Sequence, residues 1–330
     1  MKAICTIITG DYGHHALVLH DSICNFNSAI PLYVFISGGD LDSSILKEIN
    51  NRENLYLLTK ADIEESELAQ KIYSKYSNNN MDALRWSMKP VVMNHLLQKE
   101  YERVIYVDWD IHFFNDFNFL FEELKKCNLL LSPHWRCSDP ILDLETFKLN
   151  FLDGIYNGGF VGASRGGISA LEYWAKLCLF NCEVNRNAGF YVDQRYLDLL
   201  PTRFDEIKSI THKGCNVANW NITDCKRVGQ VSGEVLINNE YPIVFIHFTN
   251  SLFKGVYSSK NDTALIPYVE KYRDNVLKYS SVDIIEDFFK KGKYINPRTE
   301  KRIEGIDNKS KFKRVIKKVY KKIKRVILKK

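Results

Sequence analysis

A chain of 330 residues, 45% of them hydrophobic, carries enough apolar material for a substantial core, which excludes disorder as the default and leaves one large domain or two small ones open. Its formal charge of +6 averages two unlike parts: from Lys309 onward stand twelve basic residues and no acidic ones, which leaves −6 on the rest. A mildly acidic body excludes a broad basic face, so attraction to an anionic partner is expected in the tail.

The N-terminus carries a short apolar run, residues 3–8, interrupted by Gly10, Asp11, His14 and His15 with no small-residue cleavage site, so it reads as a first strand and not as a signal core. No run approaches the length of a membrane span, so membrane contact is expected to be peripheral. The eight cysteines lack CxxC spacing and sit mostly in apolar runs, which predicts free thiols.

Apolar, β-branched runs at 3–9, 31–37 and 103–107, with a shorter one at 54–58, alternate with helical patterns at 15–26, 63–76 and 83–99. The last helix places Leu84, Met88, Val92 and Leu96 on one face, and Pro90 predicts a break or a first-turn position there. His14 and His15 read as solvated loop. The alternation predicts an α/β fold with a mainly parallel, doubly wound sheet and ligands at the carboxyl ends of its strands.

The run Val104-Ile105-Tyr106-Val107-Asp108-Trp109-Asp110 is an apolar strand ending in two acids one residue apart. Buried strands avoid acids unless something compensates them, and two carboxylates aimed at one point suit a hard cation. The plainer alternative is a solvated strand end. Further on, Asn157 to Gly159 reads as a Gly-rich turn, 168–180 as a helix and 193–200 as a short helix that Asp193 could cap. Cys178 and Cys182 fall at helical spacing on a core face. His212, Asn216, Asn219 and Trp220 form a polar-aromatic loop suited either to lining a ligand pocket or to core packing.

Ile243 to Asn250 is a second apolar strand and carries His247, a competent third ligand beside an Asp-x-Asp, followed by Lys254-Gly255. A short helix is expected at 283–291 and a polar linker with Pro297 and Gly305 at 294–309. In the tail Phe312, Val315, Ile316, Val319, Tyr320, Ile323, Val326 and Ile327 recur at steps of three and four among lysines and arginines. That is an amphipathic cationic helix fitted to an anionic membrane surface. Nucleic acid is not expected as a partner, because the acidic body supplies no reading domain.

Lys89-Pro90, the strand, Asp108-Trp109-Asp110 and Phe113-Phe114-Asn115-Asp116 together resemble the GT-A nucleotide-sugar transferases, above all family 8, the glycogenin and lipopolysaccharide galactosyltransferase-like group, and related bacterial enzymes. The resemblance runs through residues 2–255. It implies a GT-A fold, a mainly parallel twisted sheet flanked by helices, with the basic amphipathic helix appended at the C-terminus. Residues 1–260 would be the catalytic domain, 261–308 a helical extension and linker, and 309–330 the membrane-association helix.

By position, the resemblance implies that Asp108 contacts ribose and metal, and that Asp110 and His247 complete the ligands of Mn²⁺ (or Mg²⁺). Thr6, Thr9, Tyr12 and Trp109 would line the nucleotide site, Arg85 and Lys89 would supply basic contacts, and Asn157 and Gly158 would meet the donor sugar. Asp193 and Gln194 would flank the anomeric carbon, and Lys254 would meet the diphosphate. The His247 to Lys254 spacing is longer than the commonest family pattern, and Asn250 stands where Gly is usual. The activity implied is transfer of a sugar, with retention, from a nucleotide donor (UDP-linked by preference) to a glycan or glycolipid acceptor. Its setting would be bacterial lipopolysaccharide or other surface-polysaccharide synthesis, at the cytoplasmic face of the cell membrane.

Two rivals remain. Haloacid-dehalogenase-like phosphatases also use Asp-x-Asp, but they need Thr or Val two residues beyond the second Asp, where this chain has His112. A non-catalytic membrane-surface binding module would predict degraded metal ligands, and Asp108, Asp110 and His247 are all present.

Overall fold

The computed structural model describes residues 1–280; the helix expected at 283–291, the linker and the basic tail lie outside them. In chain order the first part contains β1 (Lys2–Ile8), α1 (Gly13–Asn27), β2 (Leu32–Ile36), α2 (Ser43–Asn50), β3 (Leu55–Leu58), α3 (Glu67–Tyr76), α4 (Met81–Lys99), β4 (Arg103–Val107) and β5 (Ile111–Phe113). Next come α5 (Asn118–Glu123), β6 (Leu129–Pro133), α6 (Leu144–Leu152), β7 (Tyr156–Ser164), α7 (Ile168–Phe180) and a hairpin of β8 (Val184–Asn185) and β9 (Phe190–Tyr191). A 3-10 segment, Gln194–Thr202, leads to β10 (Ile207–Ser209) and then to the meander β11 (Arg227–Gly229), β12 (Val235–Ile237) and β13 (Tyr241–Pro242). The last described elements are β14 (Phe245–His247), α8 (Asn250–Phe253) and α9 (Ile266–Leu277).

Strand β1 shows why the sheet is central. Alternate side chains of a strand point to opposite faces. Ala3, Cys5 and Ile7 join a core layer with α3, α4 and α7, while Ile4 and Ile8 join the layer that holds α1 and α5. A strand covered on both faces reads as an unbroken apolar run, which is what its sequence shows. The seven strands lie in the order β10-β6-β7-β4-β1-β2-β3. All pairings are parallel except those of β7, which runs antiparallel between β4 and β6 and so brings its first residues to the carboxyl end of β4.

Three local expectations need correction. Pro90 neither breaks α4 nor opens it: Asn80 caps the helix with its Oδ1 on the Ala83 N–H at 3.1 Å, and the helix runs on through Pro90. The ring costs the helix about 3 kcal/mol, which the buried flanks Met88, Val91, Val92 and Met93 offset through packing. Asn157 to Gly159 are the opening residues of β7 and not a turn. His14 and His15 lie in α1, and His15 is buried. All eight cysteines are free and, Cys24 apart, buried. Among the described residues no helix is long and apolar enough to cross a membrane.

Candidate active site

The strand β4 ends in a tight turn, closed by the Ile111 N–H on the Asp108 carbonyl at 3.0 Å, so Asp108-Trp109-Asp110 are turn residues between β4 and β5. The Asp108 N–H donates to the Gly159 carbonyl at 2.8 Å, which fixes this turn to the start of β7. Strand β5 then pairs antiparallel with β14, with His247 opposite Ile111, and the Phe248 N–H reaches the Asp110 carbonyl at 2.8 Å. This short ribbon carries His247 across the sequence to the two acids. Its Nε2 lies 3.1 Å from Asp110 Oδ1 and 3.8 Å from Asp108 Oδ2.

One ligand atom from each of Asp108, Asp110 and His247 falls within 4.8 Å of the others, a donor set of two hard oxygens and one imidazole that fits Mn²⁺ or Mg²⁺. The electrostatics agree. Burial alone would push the His247 imidazole down, but the carboxylate of Asp110, and then that of Asp108, outweigh it and hold a proton there. Burial would likewise raise Asp108, yet Lys89, His247 and the Tyr106 hydroxyl, 2.6 Å from Oδ1, keep its carboxyl below the usual range. A field that retains a proton on His247 also favours a cation in its place.

Behind the turn stands Lys89, almost wholly buried on α4. Its Nζ lies 3.2 Å from Asp108 Oδ1, 3.2 Å from Asp193 Oδ2 and 2.9 Å from the Gly158 carbonyl. Three acceptors surround the ammonium, so Lys89 links α4 to the β4 turn, to the start of β7 and to Asp193. Burial opposes its charge, and the two carboxylates overcome that and raise its pKa. Arg85, one turn earlier on the helix, is partly exposed and pairs with Asp82 at 3.4 Å.

Asp193 does not cap the segment it precedes: its side chain makes no capping bond and faces Lys89 instead. Burial pushes its carboxyl up to about 6, against the pull of Lys89 and with a push from Asp108. The preceding Val192 has φ +45°, a left-handed backbone that a β-branched residue adopts only when its surroundings impose it. Here the Val192 N–H bonds the Glu183 carbonyl at 2.9 Å, and the Trp174 indole N–H bonds the Asp193 carbonyl at 2.9 Å. Gln194 is held at both ends of its amide, Nε2 to the Asp153 carbonyl at 2.9 Å and Oε1 to the Gly158 N–H at 3.4 Å.

At the start of β7 the Asn157 side chain accepts from the Gly159 N–H at 2.5 Å. A Cβ on Gly159 would come within 2.5 Å of His247 Cε1 and 3.0 Å of Asp108 Oδ2, and one on Gly158 within 2.7 Å of Asp193 Oδ2. These two positions carry glycine because the site occupies the space a side chain would need. Trp109 packs its ring 4.4 Å from both Tyr12 and His15, at the opening of α1. Thr9 stands just after β1, whereas Thr6 is wholly buried within the strand. Lys254 is exposed at the start of a π-helical turn whose Gly255 abuts Asn219.

Two neighbours were not singled out from the sequence as parts of this site. Tyr106 lies two residues before Asp108, and the period of a strand would have placed both on one side. His134 is buried with its ring 5.5 Å from Trp220, which stands edge-on to His247 at 5.4 Å. Nothing in its local sequence marks it.

No family model matches the chain. It is 28% identical over 255 residues to the uncharacterized protein YfnF of Bacillus subtilis (strain 168), covering 75% of this chain and 81% of that protein. Among solved structures it is similar to the galactosyltransferase LgtC in complex with donor and acceptor sugar analogues, with a TM-score of 0.55 at 10% identity over 86% of this chain and 97% of the other. It is also similar to the bifunctional glycosyltransferase WbbM, with a TM-score of 0.51 at 11% identity over 86% and 51%. At such identities the likeness establishes the fold alone: an α/β architecture with a mostly parallel central sheet, that of the GT-A glycosyltransferases.

Proposed function

We propose that this chain is a metal-dependent glycosyltransferase acting on a nucleoside-diphosphate sugar. The observation that carries the reading is the meeting of Asp108, Asp110 and His247 at the carboxyl end of a central strand, on a GT-A fold. That is where open α/β sheets bind their ligands. When bound, Mn²⁺ or Mg²⁺ supplies a Lewis acid for the departing diphosphate. Asp108, Asp110 and His247 hold it, and Lys254 meets the diphosphate from the turn after α8.

The remaining groups divide between donor and acceptor. Thr9, Tyr12, Trp109 and Arg85 flank the nucleotide, with uridine the base proposed. Asn157 and the Gly158 backbone meet the donor sugar. Asp193 and Gln194 flank the reacting carbon, whose configuration is retained as in family 8, and Lys89 sets the distance between Asp193 and the metal ligands. Trp220, partly exposed beside His247, offers an aromatic ring on whose face an acceptor sugar can stack. The acceptor proposed is a glycan or glycolipid of bacterial surface polysaccharide. Residues 1–260 form the proposed catalytic domain, and the basic stripe at 309–330 holds the enzyme to the cytoplasmic face of the membrane. The phosphatase alternative gains nothing from the structure, since His112 is buried in β5.

The test is a calorimetric titration with UDP, with and without Mn²⁺, on the wild type, Asp110→Ala and His247→Ala. Binding that needs the metal and weakens ~100-fold in each variant, the equivalent of about 3 kcal/mol, supports the site. Binding indifferent to metal and to both substitutions returns the acid pair to an ordinary strand-end turn.

A further inference from the structure

We infer that Tyr272, on α9, is a positioning residue for the metal ligands, tying the turn that carries Asp108 and Asp110 to the strand that carries His247. The inference rests on the metal reading above and concerns residues remote in sequence from every ligand. The ribbon that joins the two sides is short: Phe245, Ile246 and His247 pair with Phe113, His112 and Ile111, and backbone bonds from Phe248 to Asp110 and from Phe114 to Val244 extend it at its ends. Metal ligands need their geometry held to within about 0.5 Å, so the side chains packed on so short a ladder share in setting the relative position of its two sides.

Tyr272 packs on both. Its ring stacks on Phe248, the residue after His247, with centroids 3.9 Å apart and planes 6° from parallel. Its hydroxyl shares a hydrogen bond of 3.1 Å with His15 Nδ1. The His15 ring in turn lies 4.4 Å from that of Trp109, the residue between the two acids, and Tyr12 holds the same indole at 4.4 Å. The His112 ring of β5 meets Tyr272 edge-on at 5.8 Å. Tyr272 is 2% exposed, so these contacts are buried from solvent. One side chain of α9 thus meets the neighbour of His247 directly and, through His15, the residue between the two acids.

The test uses the full chain without nucleotide and Mn²⁺ alone as probe, free Mn²⁺ being read by electron paramagnetic resonance well below the unfolding midpoint of each variant. Tyr272→Leu, which loses both the stack and the hydroxyl, is expected to bind Mn²⁺ about tenfold more weakly, the size typical of losing a group that orients a ligand. Tyr272→Phe, which keeps the stack, is expected to recover part of that loss. Val269→Ala, a wholly buried neighbour on the same helix, controls for plain destabilisation and is expected to lower the unfolding midpoint with Mn²⁺ affinity unchanged.

Wild-type affinity in both Tyr272 variants overturns the inference, as does a Val269→Ala loss equal to that of Tyr272→Leu. If Tyr272→Leu does not fold, Tyr272→Phe decides alone, and unchanged affinity there overturns it. A wild type that binds no Mn²⁺ fails the metal reading itself, a distinct result.

Discussion

Lys89 and Asp193 form an ion pair, Nζ to Oδ2 3.2 Å, between side chains only 3% and 2% exposed. A buried charge without its partner is far costlier than the pair is favourable. Lys89→Met strands both Asp193 and Asp108, and it is expected to destabilise the chain by about 3–5 kcal/mol in urea unfolding. Lys89→Arg is not expected to restore it, because a planar guanidinium does not fit a point flanked by three acceptors. Wild-type stability in Lys89→Met would mean that the cluster is wetter than its burial implies.

Asp193 gives the metal-free protein a pH dependence of definite sign. Its folded pKa of about 6 lies above the ordinary 3.8, so the fold favours the protonated acid. The corresponding stability is fully present below pH 3.8 and is lost as pH rises through about 6. In chelator, Asp193→Asn is therefore expected to gain stability relative to the wild type as pH goes from 4 to about 7. A difference in melting temperature that stays flat across that window would show Asp193 to be ionised throughout.

Gly159 is expected to resist any side chain. The Cβ of Gly159→Ala would sit 2.5 Å from His247 Cε1 and 2.6 Å from Asn157 Oδ1, forcing one of them to move. Overpacking of this kind costs roughly 1–3 kcal/mol, and here the displaced atoms belong to the proposed metal site, so Mn²⁺ affinity falls as well. Gly229→Ala, with nothing within 4 Å of its Cβ, is the control and is expected to stay within about 0.5 kcal/mol of the wild type. Equal behaviour of the two variants would count against the packing described for β7.

Deletion of residues 309–330 is expected to abolish co-sedimentation with anionic vesicles while leaving UDP and Mn²⁺ binding in solution intact. Each of the twelve basic residues contributes on the order of 1 kcal/mol at such a surface, so the effect should vanish in high salt. Sedimentation by the truncated chain would place membrane contact elsewhere.

What could be read in advance followed from local chemistry. Strand β4 and helix α7 have the bounds expected, because an apolar run ending in acids and a 3.6-residue period are each decided by neighbours in sequence. The readings that failed depend on contacts that a local pattern does not contain. Gly158 and Gly159 look like punctuation, yet they sit in a strand because His247 and Asp193 fill the space above them. The pairing of Lys89 with Asp108 and Asp193 is likewise absent from any local pattern. The helix α9 was expected only as an unplaced helical part of 261–308: its mixed sequence acquires an apolar face where Val269, Tyr272 and Val276 are buried in one cluster with Val18 of α1 and Phe248.

The ribbon of β5 and β14 also imposes an order on the making of the protein. Asp110 leaves the ribosome well before His247, and at roughly 5–20 residues per second the interval is on the order of ten seconds. Through that time the growing chain has the two carboxylates and Lys89 behind them, but not the imidazole of His247 that meets them in the fold. If the proposed metal binds, the onset of its retention in a pulse-labelled synthesis would time the pairing of β14 with β5.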